Sequence, residues 1–179
     1  MTRARGRLSE AWRVRLLHWA RRHYVDRRPP DRKIRGVYLW RWYIFPWGRW
    51  SDALRDRRGF RWLYRALRLL PNVCVHLFRE SDDARAPHDH PWASMTILLE
   101  GRYQEVLPIY PDMHLGAQYV VLRWPGTIVT RRALDSHRIR LVDDQAISLF
   151  ITAPQVRRWG FWCPQGWRPY NEFDERGCD

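Results

Sequence analysis

Beyond Pro71 the chain breaks into short runs of β-branched, aromatic and aliphatic residues, at 73–80, 92–100, 102–107, 119–123, 127–131, 137–142 and 146–153, separated by turn residues. Many short strands at close, even spacing are the pattern of an antiparallel sandwich or barrel. Gly101 stands between two of these runs where a hairpin needs a turn, and Pro125-Gly126 and Asp143-Asp144 mark further reversals. With 179 residues the chain can bury one good core, so one β-rich domain over 71–179 is expected, with residues 1–70 as an extension packed on it.

The extension has a different texture. Leu8, Trp12, Leu16, Trp19 and Ala20 recur at helical spacing while Arg13, Arg15, Arg21 and Arg22 fall largely elsewhere, which predicts an amphipathic helix over 8–25. It must end before Arg28-Pro29-Pro30, because prolines lack the donor and disfavour helix at the residue before them. Residues 37–45 predict a strand that stops at Pro46-Trp47-Gly48, and Leu54, Phe60, Leu63, Leu67 and Leu70 predict a second helix over 51–70. The apolar stripe of the first helix needs a hydrophobic partner, so Trp12 and Trp19 are expected to be largely buried.

Charge is concentrated in the same segment. The net charge is +13, but residues 1–70 carry +15 and residues 71–179 carry −2. Arginine can pair with phosphate and tryptophan can stack on bases, so the interleaving WRWYIFPWGRW at 40–50 is suited to nucleic acid. Lys33 is the one lysine, however, and such a bias also follows from a GC-rich coding sequence, so intramolecular packing is the preferred reading. Nothing approaches the roughly 18 apolar residues of a membrane span, and no apolar region follows the N-terminal arginines, so no membrane partner is expected. Cys74, Cys163 and Cys178 are odd in number and form no C-x-x-C, which speaks against a disulfide framework or a zinc knuckle and for a reducing, cytoplasmic setting.

The segment that carries chemistry is HDHPW, 88–92. Alternate side chains of an extended strand face one way, so His88 and His90 can share a metal. Context strengthens the pair: HDHPWASMTILLEG places Gly101 eleven residues after His90, and WPGTIVTRRALDSHRI places His137 eleven residues after Gly126. This resembles the two motifs of the cupin superfamily. The resemblance covers about residues 73–154 and implies a double-stranded β-helix, a jelly-roll barrel, in which His88, His90 and His137 hold one divalent transition metal. The stretch from VHLFRESDD to GFWCPQGW also looks like a group of small bacterial and phage cupins.

The sequence departs from the cupin pattern at the fourth ligand. The glutamate expected four or five residues after the second histidine is replaced by Ser94 and Met95, and the asparagine four residues after the third by Leu141. The site therefore resembles the three-histidine centres of thiol dioxygenases. That resemblance implies Fe(II), with Zn, Ni, Mn or Cu as alternatives; hard Mg or Ca, which prefer oxygen ligands, are disfavoured by an imidazole set. Further pocket candidates are His76, Trp92, Ser94, Met95, Arg102, Tyr103 and Glu105, the last as a distal fourth ligand or general base; the plainer readings are a core histidine for His76, barrel packing for Trp92, surface strand residues for Arg102 and Tyr103, and a solvent-facing carboxylate for Glu105. His114 reads as structural or solvated. Trp159, Phe161, Trp162 and Trp167 are expected to pack over the barrel mouth.

Three functions follow. The first is an Fe(II) oxygenase acting on a small anionic or chelating substrate. The second is a redox-neutral metal enzyme, an isomerase, lyase or hydrolase. The third is a metal-stabilised module that binds nucleic acid through the basic segment. A homodimer is compatible with each.

Overall fold

The computed structural model describes residues 3–82, 86–109, 117–173 and 177–178. The chain begins with β1 (Arg3–Arg7), then α1 (Glu10–Ala20), which continues as a π-helical turn over Arg21–Val25. β2 (Arg32–Ile34) and β3 (Leu39–Tyr43) follow, then α2 (Pro46–Leu54), a 3-10 turn over Arg58–Phe60, and α3 (Arg61–Leu67). The β-rich part comprises β4 (Asn72–Phe78), β5 (Ser94–Glu100), β6 (Tyr103–Pro108), β7 (Gln118–Arg123), β8 (Thr127–Arg131), β9 (Arg138–Leu141), β10 (Ala146–Thr152), β11 (Gly160–Cys163) and β12 (Gly166–Pro169).

One sheet runs in the order β1-β8-β5-β10-β4-β3-β2, and a second in the order β7-β6-β9. His88 forms antiparallel bridges with both His137 and Phe161, so this one residue joins the β11-β12 hairpin to the second sheet beside β9. The succession β4-β10-β5-β8 facing residue 88, β9, β6 and β7 is that of a jelly-roll barrel, in which consecutive strands alternate between two antiparallel sheets. The fold is mostly β, as the run pattern and the two motifs imply.

Strand alternation divides the residues of the large sheet between two cores. Leu39, Phe78, Leu98 and Ala146 meet Tyr103 and Ile139 of the second sheet in the barrel interior. Trp42, Val75, Leu77, Leu99, Ile147 and Leu149 point to the outer face, where Leu16, Leu17, Trp19 and Ala20 of α1 cover them. Each such large side chain removed from water contributes about 1.5–3 kcal/mol, which is what fixes α1 on the sheet. The β5-β6 turn needs Gly101: its φ is +74°, and a Cβ there would come within 2.0 Å of the Gln145 carbonyl oxygen.

The extension is more deeply built in than its pattern suggests. Where the sequence predicts one strand and two helices, three strands join the large sheet and three helices are present, counting α2 and α3 separately. β1 (RARGR) and β2 (RKI) carry almost no apolar residues, so their edge pairing is a matter of backbone hydrogen bonds that leave no periodic signal. Trp19 packs into the outer core, but Trp12 does not: it is 57% exposed, with Arg15 over its ring at 5.4 Å. The apolar contacts with the sheet come from the last turns of α1, while from its first turn Arg13 reaches the Leu99 carbonyl at 2.7 Å.

The disulfide expectation also fails, because Cys163 of β11 bonds Cys178 and the odd cysteine, Cys74, is a buried core residue. No helix among the described residues is long and apolar enough to cross a membrane.

Candidate metal centre

His88 and His137 lie directly opposite one another and exchange two backbone hydrogen bonds of 2.9 Å, N–H of each to the carbonyl of the other. That pairing brings motif one and motif two side by side. His90, two residues on, shares the side of its strand with His88, and its Nε2 lies 2.9 Å from Nε2 of His137. The three ring centroids are 5.0–5.1 Å apart, and one ring nitrogen from each residue falls within 4.8 Å of the others. Two nitrogens each about 2.1 Å from one ion at a right angle would be roughly 3 Å apart, so this spacing fits a transition metal.

The opposite ring edges are held by carboxylates. Nδ1 of His88 is 2.8 Å from Oδ2 of Asp82, and Nδ1 of His137 is 3.1 Å from Oε1 of Glu105. A carboxylate close to Nδ1 is the arrangement common behind metal-bound imidazoles, where it orients the ring with Nε2 toward the ion. Burial first, then the neighbouring histidines and Arg131, holds His90 well below the usual imidazole range. Burial and Arg131 lower His137 to about 4 against the opposing pull of Glu105. Both rings are therefore neutral near pH 7, the form that binds metal.

Glu105 is fully buried, not solvent-facing. It accepts hydrogen bonds from Arg123 Nε (2.7 Å) and Arg131 Nε (2.9 Å), and both guanidiniums also reach it through Nη2. Burial would raise its pKa, but Arg131, His137 and Arg123 outweigh that and keep it ionised, well below the carboxylate range. It stands behind His137 and outside the three-histidine cluster. Arg131 also donates to Thr96 Oγ1 at 3.1 Å, which fixes the ion cluster to the floor of the large sheet.

The remaining sequence candidates separate cleanly. Ser94 lies on the inner face opposite Arg131 and Thr152, its buried Oγ without a hydrogen-bond partner. Met95, one residue on, belongs to the outer face with Ile151 and Thr130, so strand alternation removes it from the pocket. Arg102 is a surface residue paired bidentately with Asp143, so it too is removed. Tyr103 is not a surface residue: it is 1% exposed in the barrel core. His76 is a core histidine whose Nε2 accepts a 2.8 Å hydrogen bond from Arg41 Nε and whose ring stacks on Phe150. Trp92 is half-buried against Tyr43, Cys74 and Phe150. His114 lies outside the described residues.

Sequence reading misses four residues that shape this site: Asp82, Arg123, Arg131 and Asp89. Asp89 sits between the two histidines of the motif and faces the other way, buried at 0% exposure. It accepts hydrogen bonds from Gly160 N–H (2.8 Å), Trp162 Nε1 (3.2 Å) and Trp167 Nε1 (2.9 Å), and pairs with Arg157 Nη1 at 2.7 Å. The aromatic C-terminal segment is thereby fastened to the middle of HDH, with Trp159 and Phe161 each 6.2 Å from the His88 ring. Inward parity on β8 was the one available signal for Arg131; nothing in the sequence marks Asp82 or Asp89.

No family model and no curated protein matches the sequence. Among solved structures, oxalate decarboxylase from Bacillus subtilis, studied for its Mn(II) centres, superposes with a TM-score of 0.46 at 9% identity over 75% of this chain and 30% of that one. Lactobacillus farciminis oxalate decarboxylase in its formate complex gives 0.47 at 11% identity over 78% and 34%. Procruciferin, an 11S globulin from Brassica napus, gives 0.46 at 9% identity over 72% and 29%. The chain spans about a third of the length of these proteins.

Proposed function

We propose that the protein is a mononuclear metal-dependent enzyme of the cupin type, an Fe(II) oxygenase acting on a small anionic or chelating substrate. The observation that carries this reading is the convergence of His88, His90 and His137, two of them backed by carboxylates, within one partly buried cluster. A divalent iron held there would supply Lewis acidity and a redox partner for dioxygen. The chain's own contribution is positional and electrostatic. Asp82 and Glu105 stand behind the rings of His88 and His137, burial keeps His90 and His137 unprotonated, and Phe150, Trp159 and Phe161 limit water around the cluster. With Ser94 where a glutamate is expected, the ligand set is neutral, and the two arginines around Glu105 leave that ion cluster, behind His137, with one positive charge in excess. Both features favour an anionic substrate.

The test is metal analysis of protein purified without added metal, followed by anaerobic Fe(II) loading and oxygen uptake with carboxylate, thiol and enediol compounds. One iron per chain and substrate-dependent uptake are expected, with His90→Ala losing both while retaining its circular dichroism. Full metal content or full activity in His90→Ala would overturn the reading.

A second reading has its own observation. Arg55, Arg57, Arg58, Arg61, Arg65 and Arg68 line a groove along α2 and α3, beside exposed Trp50 and Trp62, 56% and 70% accessible. Such a surface suits single-stranded nucleic acid. Binding that weakens steeply with salt and is lost in Arg58→Gln/Arg61→Gln/Arg65→Gln would support it, and salt-independent binding would exclude it.

A further inference from the structure

A cavity of about 470 Å³ opens between α2-α3 and the end of the barrel, and none of the three histidines lines it. Its innermost charge is Arg41 on β3. The Arg41 Nε donates to His76, which is neutral because burial and Arg41 itself hold its pKa well below the imidazole range. No carboxylate among the described residues forms an ion pair with Arg41. The one carboxylate in the wall, Asp52, is taken by the Tyr43 hydroxyl at 2.7 Å and by Arg32 at 3.1 Å.

Apart from Arg32, which pairs with Asp52, the other guanidiniums of the wall also lack a carboxylate partner among the described residues. Arg55 donates to the Tyr170 hydroxyl (2.8 Å) and Arg68 to the Tyr64 hydroxyl (3.0 Å), both neutral partners, and Arg158 stands exposed at the rim. Trp92 and Phe150 add aromatic surface, and the buried Trp92 Nε1 has no hydrogen-bond partner. Asp52 attracts Arg41 only from beyond ion-pair distance, and Tyr43 is a neutral partner. A largely enclosed guanidinium with no carboxylate in direct contact is favoured when an anion meets it, and its planar fork matches carboxylate or phosphate oxygens in pairs. The volume suits a ligand of about ten to twenty heavy atoms rather than a bare ion.

We propose that this cavity, which shares the Phe150 ring with the histidine cluster but is lined by none of its three imidazoles, is a binding site for a small organic oxyanion with an aromatic body, anchored by Arg41 and closed over by Arg55 and Arg68. The oxyanion is a carboxylate or a phosphate monoester, and two probes separate them: benzoate and phenyl phosphate.

Calorimetric titration of the full chain should show one site for at least one probe, with inorganic phosphate weaker than phenyl phosphate. Arg41→Gln should weaken binding about 10- to 100-fold, and Arg41→Lys, which keeps the charge but not the fork, by less. His90→Ala should bind the probe as wild type does, which distinguishes this site from the metal reading: loss of metal with retention of the anion leaves this proposal standing alone. Should Arg41→Gln fail to fold, Arg55→Gln/Arg68→Gln, whose bonds are to neutral hydroxyls at the cavity wall, must still weaken binding several-fold. The proposal is overturned if neither probe binds, if Arg41→Gln or the double variant binds as tightly as wild type, or if His90→Ala abolishes binding.

Discussion

Glu105 is the residue on which most of the interior charge depends. It offsets two guanidiniums, both under 8% exposed, and touches the ring of His137. Glu105→Gln keeps the shape and removes the charge, leaving Arg123 and Arg131 buried without a counter-ion. A loss of about 3–5 kcal/mol in chemical denaturation is expected, because removing one partner of a buried ion cluster exposes the full desolvation cost of the others. A loss under 1 kcal/mol would mean that water already shares that site. Cys74 offers a second check at this scale. Burial outweighs the pull of Arg41 and raises its thiol to about 11, so at pH 8 almost none of it is thiolate. With Cys163 and Cys178 bonded to each other, a thiol reagent should find almost nothing reactive in the native chain and one thiol per chain in denaturant. Three reactive thiols after unfolding without reductant would contradict the disulfide.

At the level of elements, the β5-β6 hairpin is the most sensitive to a small change. Gly101→Ala places a Cβ against the Gln145 carbonyl and forces a left-handed backbone on an L-residue, so it should destabilise by more than about 1–2 kcal/mol, read as a lowered midpoint in denaturant. Gly101 was legible in the sequence, as were the barrel strands, because alternating apolar runs with turn residues between them report burial directly. The three histidines were legible through paired spacing, Gly101 eleven residues after His90 and Gly126 eleven before His137. What escaped the sequence has a common physical cause. β1 and β2 pair by backbone alone, and Ser94 and Met95 could be told apart only once the register of β5 against β8 and β10 was fixed. Asp89 belongs to a hydrogen-bond hub whose donors lie more than 65 residues away in sequence, beyond the reach of any local pattern. Trp12 fits its helical stripe and is exposed all the same, because a stripe says which face is apolar and not how far the partner surface extends.

For the molecule as a whole, β1 closes one edge of the seven-stranded sheet by pairing with β8, Arg3 opposite Thr130. Deleting residues 1–7 should leave the backbone of β8 exposed as a template for another chain, so faster aggregation on refolding, measured by light scattering, is expected while the histidine cluster still forms. Unchanged aggregation would show that α1 alone protects that edge. The same pairing sets an order of events on the ribosome. At roughly 5–20 residues per second, the partner of Arg3 is synthesised about 6 to 25 s after Arg3 itself. Through that interval the whole of residues 1–70, with its tryptophans and its net charge of +15, exists without the sheet it will complete. Mutual repulsion between chains bearing such a charge would keep them apart while they wait, and the net charge of +13 leaves most of that repulsion in the finished chain.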